Sequence, residues 1–258
     1  EIASFCLDNG VERIFIDLET LGKQERQGHL NTWKSDHVFD DIEKIRQVVP
    51  VGKLLVRLNK WNKNSKNEIK KSIENGADFL MLPMISSLQE IESFCKIVNN
   101  QVPVIPLIET PLSLQLLPEI INIKGVSEIY IGLNDLSILL NYKFCFEPLI
   151  KNYLEVAARL LNKKNIPWGF GGIARSKEGI IPPSIIIGEH VRLGSKFVIL
   201  SKSFHRDVKS LKALKKEMDF NSEINKLRGI EKFWKSKNSN DLYQNKLKLK
   251  SEFEKYIK

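Results

Sequence analysis

The chain has 258 residues, 42% of them apolar and 28% charged, with a formal net charge of +9. That length fits one large α/β unit, since barrels reach about 250 residues as single domains. No apolar stretch is long enough to span a bilayer and no signal-peptide pattern opens the chain, while the three cysteines, Cys6, Cys95 and Cys145, form neither a disulfide framework nor a zinc cluster.

A cytoplasmic protein is therefore expected. The sequence opens inside a helical pattern, EIASFCLDNG, without an initiating Met. Strand and helix signals then alternate. Strands are expected at 11–19, 53–59, 77–83, 102–109, 127–134, 166–172 and 195–201, each an apolar run bounded by turn residues. Amphipathic helices are expected at 35–49, 65–76, 86–100, 110–123 and about 147–164, with shorter helical turns in 176–194. Such alternation means parallel strands joined by right-handed crossovers. With no GxGxxG or GxxxxGK[ST] phosphate loop, it favours a TIM-type (β/α)8 barrel over a doubly wound sheet, the eighth strand lying ahead of residue 1.

Residues 1–205 form this barrel and 206–258 a lysine-rich helical extension. From Arg206 to Lys258 there are fifteen Lys and Arg against eight Asp and Glu, which is +7 of the whole excess. Lysines on the faces opposite an apolar stripe are ordinary solvated residues, and no aromatic stacking array accompanies them, so nucleic-acid and membrane partners are not expected. The extension is expected to pack on the barrel or a neighbouring subunit through Phe233, Trp234 and Phe253, with a homo-oligomer as the default.

Two strand runs end in a single acidic residue: PVIPLIETP at Glu109 and IYIGLNDLS at Asp135. Strand C-termini are where α/β barrels keep their chemistry. Successive strands would place these two carboxylates side by side, a donor set for one hard cation such as Mg2+ or Mn2+. Either residue alone would equally serve as a helix-capping group.

The segments IFIDLE, LLVRLN, GADFLMLPMISSLQEIESF, IPLIETPLSLQLLPEIINIKGVSEIYIGLNDLS and LGSKFVILS, in that order, resemble the HpcH/HpaI aldolase and citrate lyase β-subunit family of phosphoenolpyruvate/pyruvate-binding barrels. The likeness covers about residues 1–204 and is strongest from Gly76 to Ser137. It implies an eight-stranded barrel, often hexameric or trimeric with its last helix exchanged between protomers. It also implies divalent-metal chemistry on 2-oxo acids or acyl-CoA thioesters. By that resemblance Glu109 and Asp135 match the metal ligands, and Arg57 the arginine that binds the substrate carboxylate and enolate oxygen. Gly132, Leu133 and Asn134 match the loop whose amides hold the carboxylate, and Asp17 and Glu19 the acidic pair that orders water near the metal.

Two positions depart from the family pattern. Its aldolases carry a histidine base directly after the Asp-x-Glu pair, where this chain has Thr20, and a glutamine two residues before the glutamate ligand, where it has Leu107. His29 and His37 in the following segment are the candidate replacements for the base. Lys23, Arg26 and His29 would make that mouth basic, and Arg175 beyond Gly169, Gly171 and Gly172 would meet a second anionic group. Glu189, His190 and Arg192 read as a network tying a helix to the barrel, with His190 a second acid/base candidate.

The expected activity is a class II type, metal-dependent carbon–carbon lyase or aldolase acting on a small anionic substrate, a 2-oxo acid, through a pyruvate-type enolate. The alternatives are phosphoenolpyruvate-dependent transfer on the same barrel, or a non-catalytic metal- and oxo-acid-binding subunit.

Overall fold

The computed structural model describes residues 1–22, 35–204, 206 and 208–257. Seven strands form one sheet in sequence order, every neighbouring pair parallel: β1 (Ile14–Asp17), β2 (Leu54–Arg57), β3 (Phe79–Leu82), β4 (Val104–Ile108), β5 (Ile129–Ile131), β6 (Trp168–Ile173) and β7 (Phe197–Leu200). All seven fall where the sequence pattern expects a strand, β6 running one residue past its expected end.

The sheet curls as a TIM-type barrel does, but it is not a closed eight-stranded barrel. Among the described residues no strand joins β7 to β1, and every residue of β7 stays only partly buried because its outer edge has no neighbour. The N–H groups of Ile14 and Leu18 donate to β2, at Lys53 and Arg57 carbonyls, whereas that of Asp17 donates to Nδ1 of His37. A side chain thus occupies part of the edge that another strand would take.

Strand periodicity sorts the core into two layers. Leu55, Met81, Ile105, Leu107 and Tyr130 pack with Phe15, Phe79, Phe197 and Ile199 on the concave face. Leu54, Val56, Leu80, Leu82, Val104, Ile108, Ile129 and Ile131 pack outward under the helices. The concave floor is tied by polar groups: the Arg13 guanidinium pairs with both Glu128 carboxylate oxygens at 2.5 and 2.6 Å and lies 4.1 Å over the Phe79 ring. The Tyr130 hydroxyl donates to the Gly171 carbonyl at 2.5 Å and accepts from the Ile199 amide at 2.8 Å, bridging β7 to an irregular stretch of β6.

The crossover helices are α1 (Ile2–Asp8), α2 (Phe39–Arg46), α3 (Ser65–Glu74), α4 (Leu88–Val98), α5 (Pro111–Gln115), α6 (Leu117–Ile120), α7 (Leu133–Leu139), α8 (Glu147–Ile150), α9 (Tyr153–Lys163) and α10 (Pro183–Leu193). The helix expected over 147–164 is two, because Asn152 takes a left-handed φ of 65° between α8 and α9.

Beyond β7 come α11 (Leu211–Glu217), α12 (Phe220–Lys235) and α13 (Ser239–Ile257). Both α12 and α13 pack on α10. The Trp234 indole donates to the Ser184 carbonyl, and Asn245 donates to the Ile185 carbonyl and to Glu189 Oε1. Arg192 bridges Glu189 and Glu155, and Lys246 also reaches Glu155. Of the three expected anchors, Trp234 and Phe253 are engaged. Phe233 is 51% exposed and stands edge-on to the Trp234 ring.

Candidate functional site

The concave stripe of each strand continues past its apolar residues into a polar one. Phe15 is followed two residues on by Asp17, Leu55 by Arg57, and Leu107 by Glu109, so period-two geometry carries all three into the mouth at the strand C-termini. Arg57 donates from Nε and Nη2 to the two Asp17 carboxylate oxygens at 2.9 and 2.8 Å. Its Nη2 is also 3.4 Å from Glu19 Oε2. Glu19 folds back, its amide donating to Asp17 Oδ1 at 3.1 Å.

Asn59 Oδ1 holds the turn beyond Glu19. It accepts from the Thr20 amide (2.8 Å), the Thr20 hydroxyl (3.2 Å) and the Leu21 amide (2.9 Å). Thr20 is thereby committed to the turn. Nothing in the strand pattern singled out Asn59, whose role exists only once β1 and β2 are adjacent.

Neither Glu109 nor Asp135 is a helix cap. Thr110 caps α5, its hydroxyl accepting from the Ser113 amide, and Gly132 takes the capping position of α7, leaving Asp135 buried in the first turn. Glu109 is 2% exposed, and its Oε1 accepts from the Met84 amide at 3.0 Å. Met84 adopts a φ of 53°, uncommon for a non-glycine residue, and so turns its N–H toward that carboxylate.

Asp17, Glu19 and Glu109 thus stand around Arg57, with Asp135 beside Glu109, in a region largely shut from water. Burial, reinforced by the charges of Asp135 and Glu19, pushes the Glu109 carboxyl up to about 8, against the pull of Arg57 and the Met84 amide. Burial alone would disfavour the Arg57 charge, but the Asp17 bond and the surrounding carboxylates hold its pKa above the ordinary value.

Among the described residues no three or more His, Cys, Asp or Glu converge as a ready-made metal cage. Mg2+ needs no such cage. It is held by one or two carboxylates, waters and substrate oxygens, so the all-oxygen donors Glu109 and Asp135 fit a hard divalent ion.

Asp17, His37, Arg57, Glu109, Leu133 and Asp135 line one cavity of about 1860 Å3, and Gly132 and Asn134 also border it. Arg175 does not border it. Its guanidinium turns to Glu217 (3.1 Å) and Glu178 (3.7 Å), in a separate small pocket beside α12. His29, with Lys23 and Arg26, lies outside the described residues. His190 is buried, stacked on Phe170 at 3.7 Å and bonded to Ser195, and burial drives its pKa down to about 3, so it stays neutral as part of the packing.

Residues 35–144 match the family described as HpcH/HpaI aldolase/citrate lyase. Sequence comparison with curated proteins finds no match. Among solved structures, an HpcH/HpaI aldolase from Desulfitobacterium hafniense is 15% identical, with a TM-score of 0.59 over 90% of this chain and 87% of its own. An HpcH/HpaI aldolase/citrate lyase family protein from Burkholderia cenocepacia is 13% identical, with a TM-score of 0.62 over 88% and 90%. The citrate synthase SbnG is also 13% identical, with a TM-score of 0.59 over 88% and 89%. At these identities the structural likeness establishes the shared fold.

Proposed function

From the HpcH/HpaI aldolase/citrate lyase signature over residues 35–144, we propose that this chain is a divalent-metal-dependent carbon–carbon lyase or aldolase acting on a 2-oxo acid through a pyruvate-type enolate. The family description itself supports a lyase or aldolase kind of activity. One observation carries the finer reading: Glu109, buried beside Asp135 and Glu19, has its carboxyl raised to about 8 by burial and by those two neighbouring charges.

A divalent ion bound at Glu109 and Asp135 would supply Lewis-acid polarisation of a substrate oxygen. The other groups act directly on the substrate. Asp17 fixes the Arg57 guanidinium through Nε and Nη2, which leaves Nη1 to meet a carboxylate or enolate oxygen with a charge that cannot be lost. The first-turn amides of α7, at Leu133 and Asn134, face the carboxylate end of the substrate, where helix N–H groups have no partner within the helix. Gly171 takes a φ of 59°, and its bare backbone lets Leu133 pack closely against β6. A phosphate-sized basic pocket, which phosphoenolpyruvate transfer would use, gains nothing from Arg175 in its present pairing with Glu217.

The test is exchange of the pyruvate methyl protons in D2O, followed by 1H NMR. Exchange that requires Mg2+ or Mn2+ and is lost in Glu109→Gln supports the reading. Absence of exchange in metal-loaded wild type contradicts it.

A further inference from the structure

Among the described residues, the turn after Glu19 contributes no imidazole, since it carries Thr20, and the Thr20 hydroxyl is bonded to Asn59. An imidazole nevertheless reaches the site from elsewhere in the chain. His37 Nδ1 accepts the Asp17 backbone amide proton at 3.2 Å, and the residue lines the same cavity as Asp17, Arg57 and Glu109. The backbone there is pinned on both sides: Ser35 Oγ accepts from the His37 amide, and Asp41 Oδ2 accepts from the Val38 amide at the start of α2.

That bond fixes the chemistry of the ring. A neutral imidazole has one donor and one acceptor nitrogen. With Nδ1 accepting a backbone N–H, the proton must sit on Nε2. We propose that His37 is a catalytic residue of this site that works as a neutral Nε2–H hydrogen-bond donor to a substrate oxygen on which negative charge develops. It is not a general base: its only lone pair is spent on Asp17, and no proton leaves the ring. This rests on the oxo-acid reading above and adds to it the residue that stands in for the absent histidine. One aimed donor of this kind contributes about 10²–10³ in rate, because it is oriented before the charge appears.

The experiment uses the whole chain labelled with 15N-histidine, four histidines in all, with the His37 signals assigned by their loss in His37→Ala. The inference expects Nε2 protonated and Nδ1 unprotonated in the free protein. It also expects the Nε2 signal to move when pyruvate is added with Mg2+. In the pyruvate exchange assay His37→Ala should lose about 10²–10³-fold. His37→Gln, whose amide offers an N–H near the place of Nε2, should stay within about tenfold. A ring protonated on Nδ1 overturns the proposal. So does an unmoved Nε2 signal while pyruvate binding is visible in its own Mn2+-broadened resonances, or equal loss in the Gln and Ala variants. If pyruvate does not bind metal-loaded wild type at all, the functional reading falls, and the inference with it.

Discussion

Gly132 stands directly against Glu109: a Cβ on Gly132 would lie 2.8 Å from both Cβ and Oε2 of that glutamate. Atoms do not approach so closely without something moving. The backbone of Gly132, with φ −84° and ψ 100°, is open to any residue, so space and not conformation excludes a side chain here. Gly132→Ala should therefore fold but push the Glu109 carboxylate out of place. Its Mn2+ affinity should fall at least about tenfold, the scale on which disturbed ligand positioning weakens metal sites, while its far-UV circular dichroism stays unchanged.

The pH dependence follows from the raised Glu109 carboxyl. Below the ordinary value of 4.5 both the folded and the unfolded chain hold this proton. Between 4.5 and about 8 the folded state keeps a proton that the unfolded chain has released, so this group makes stability fall as pH rises through that window. Thermal denaturation of metal-free protein should show the fall relative to Glu109→Gln. Added Mg2+ should remove most of the difference, since the cation takes over the neutralising role of the proton.

Arg57→Lys keeps the charge but loses the two parallel bonds to Asp17. The expected cost is about 2 kcal/mol in urea unfolding, the scale of a hydrogen bond to a charged group. Pyruvate affinity of the metal-loaded protein should drop further than stability does, which isothermal titration would show.

The C-terminal helix joins a chain of aromatic rings that leads toward β6. Phe253 of α13 stacks on Phe144 at 5.7 Å, Tyr256 approaches the same ring at 5.2 Å, and Phe144 meets Phe146 at 5.5 Å. Phe146 in turn comes within 3.8 Å of where a Gly171 Cβ would stand. Phe253→Ala should cost about 3 kcal/mol as a buried aromatic truncation. It should also increase hydrogen exchange of amides in 142–147, measurable by mass spectrometry.

Most of the scaffold is legible in the sequence because each strand is an apolar run closed by turn residues. The concave polar residues Asp17, Arg57 and Glu109 follow from the period-two register of those runs. Sequence alone left open whether Glu109 and Asp135 cap helices, and Thr110 and Gly132 settle that by taking the capping positions themselves. What remained hidden depends on contacts between distant segments. Asn59 matters through a turn some forty residues away, Tyr130 through the β6 bulge, and His37 through an amide at the sheet edge. Arg175 looked available for an anion because its neighbours in sequence are glycines and small residues. Its ion pair is with Glu217, 42 residues further on.

The central claim is that the buried carboxylate cluster is a divalent-cation site, and a Mn2+ titration followed by electron paramagnetic resonance at pH 7.5 tests it most directly. The account predicts one tight site per chain in the wild type. It predicts loss of more than about 100-fold in affinity for both Glu109→Gln and Asp135→Asn, since even outer partners of a metal site cost 10–100-fold. Wild-type affinity matched by both variants, or no tight site at all, would contradict it.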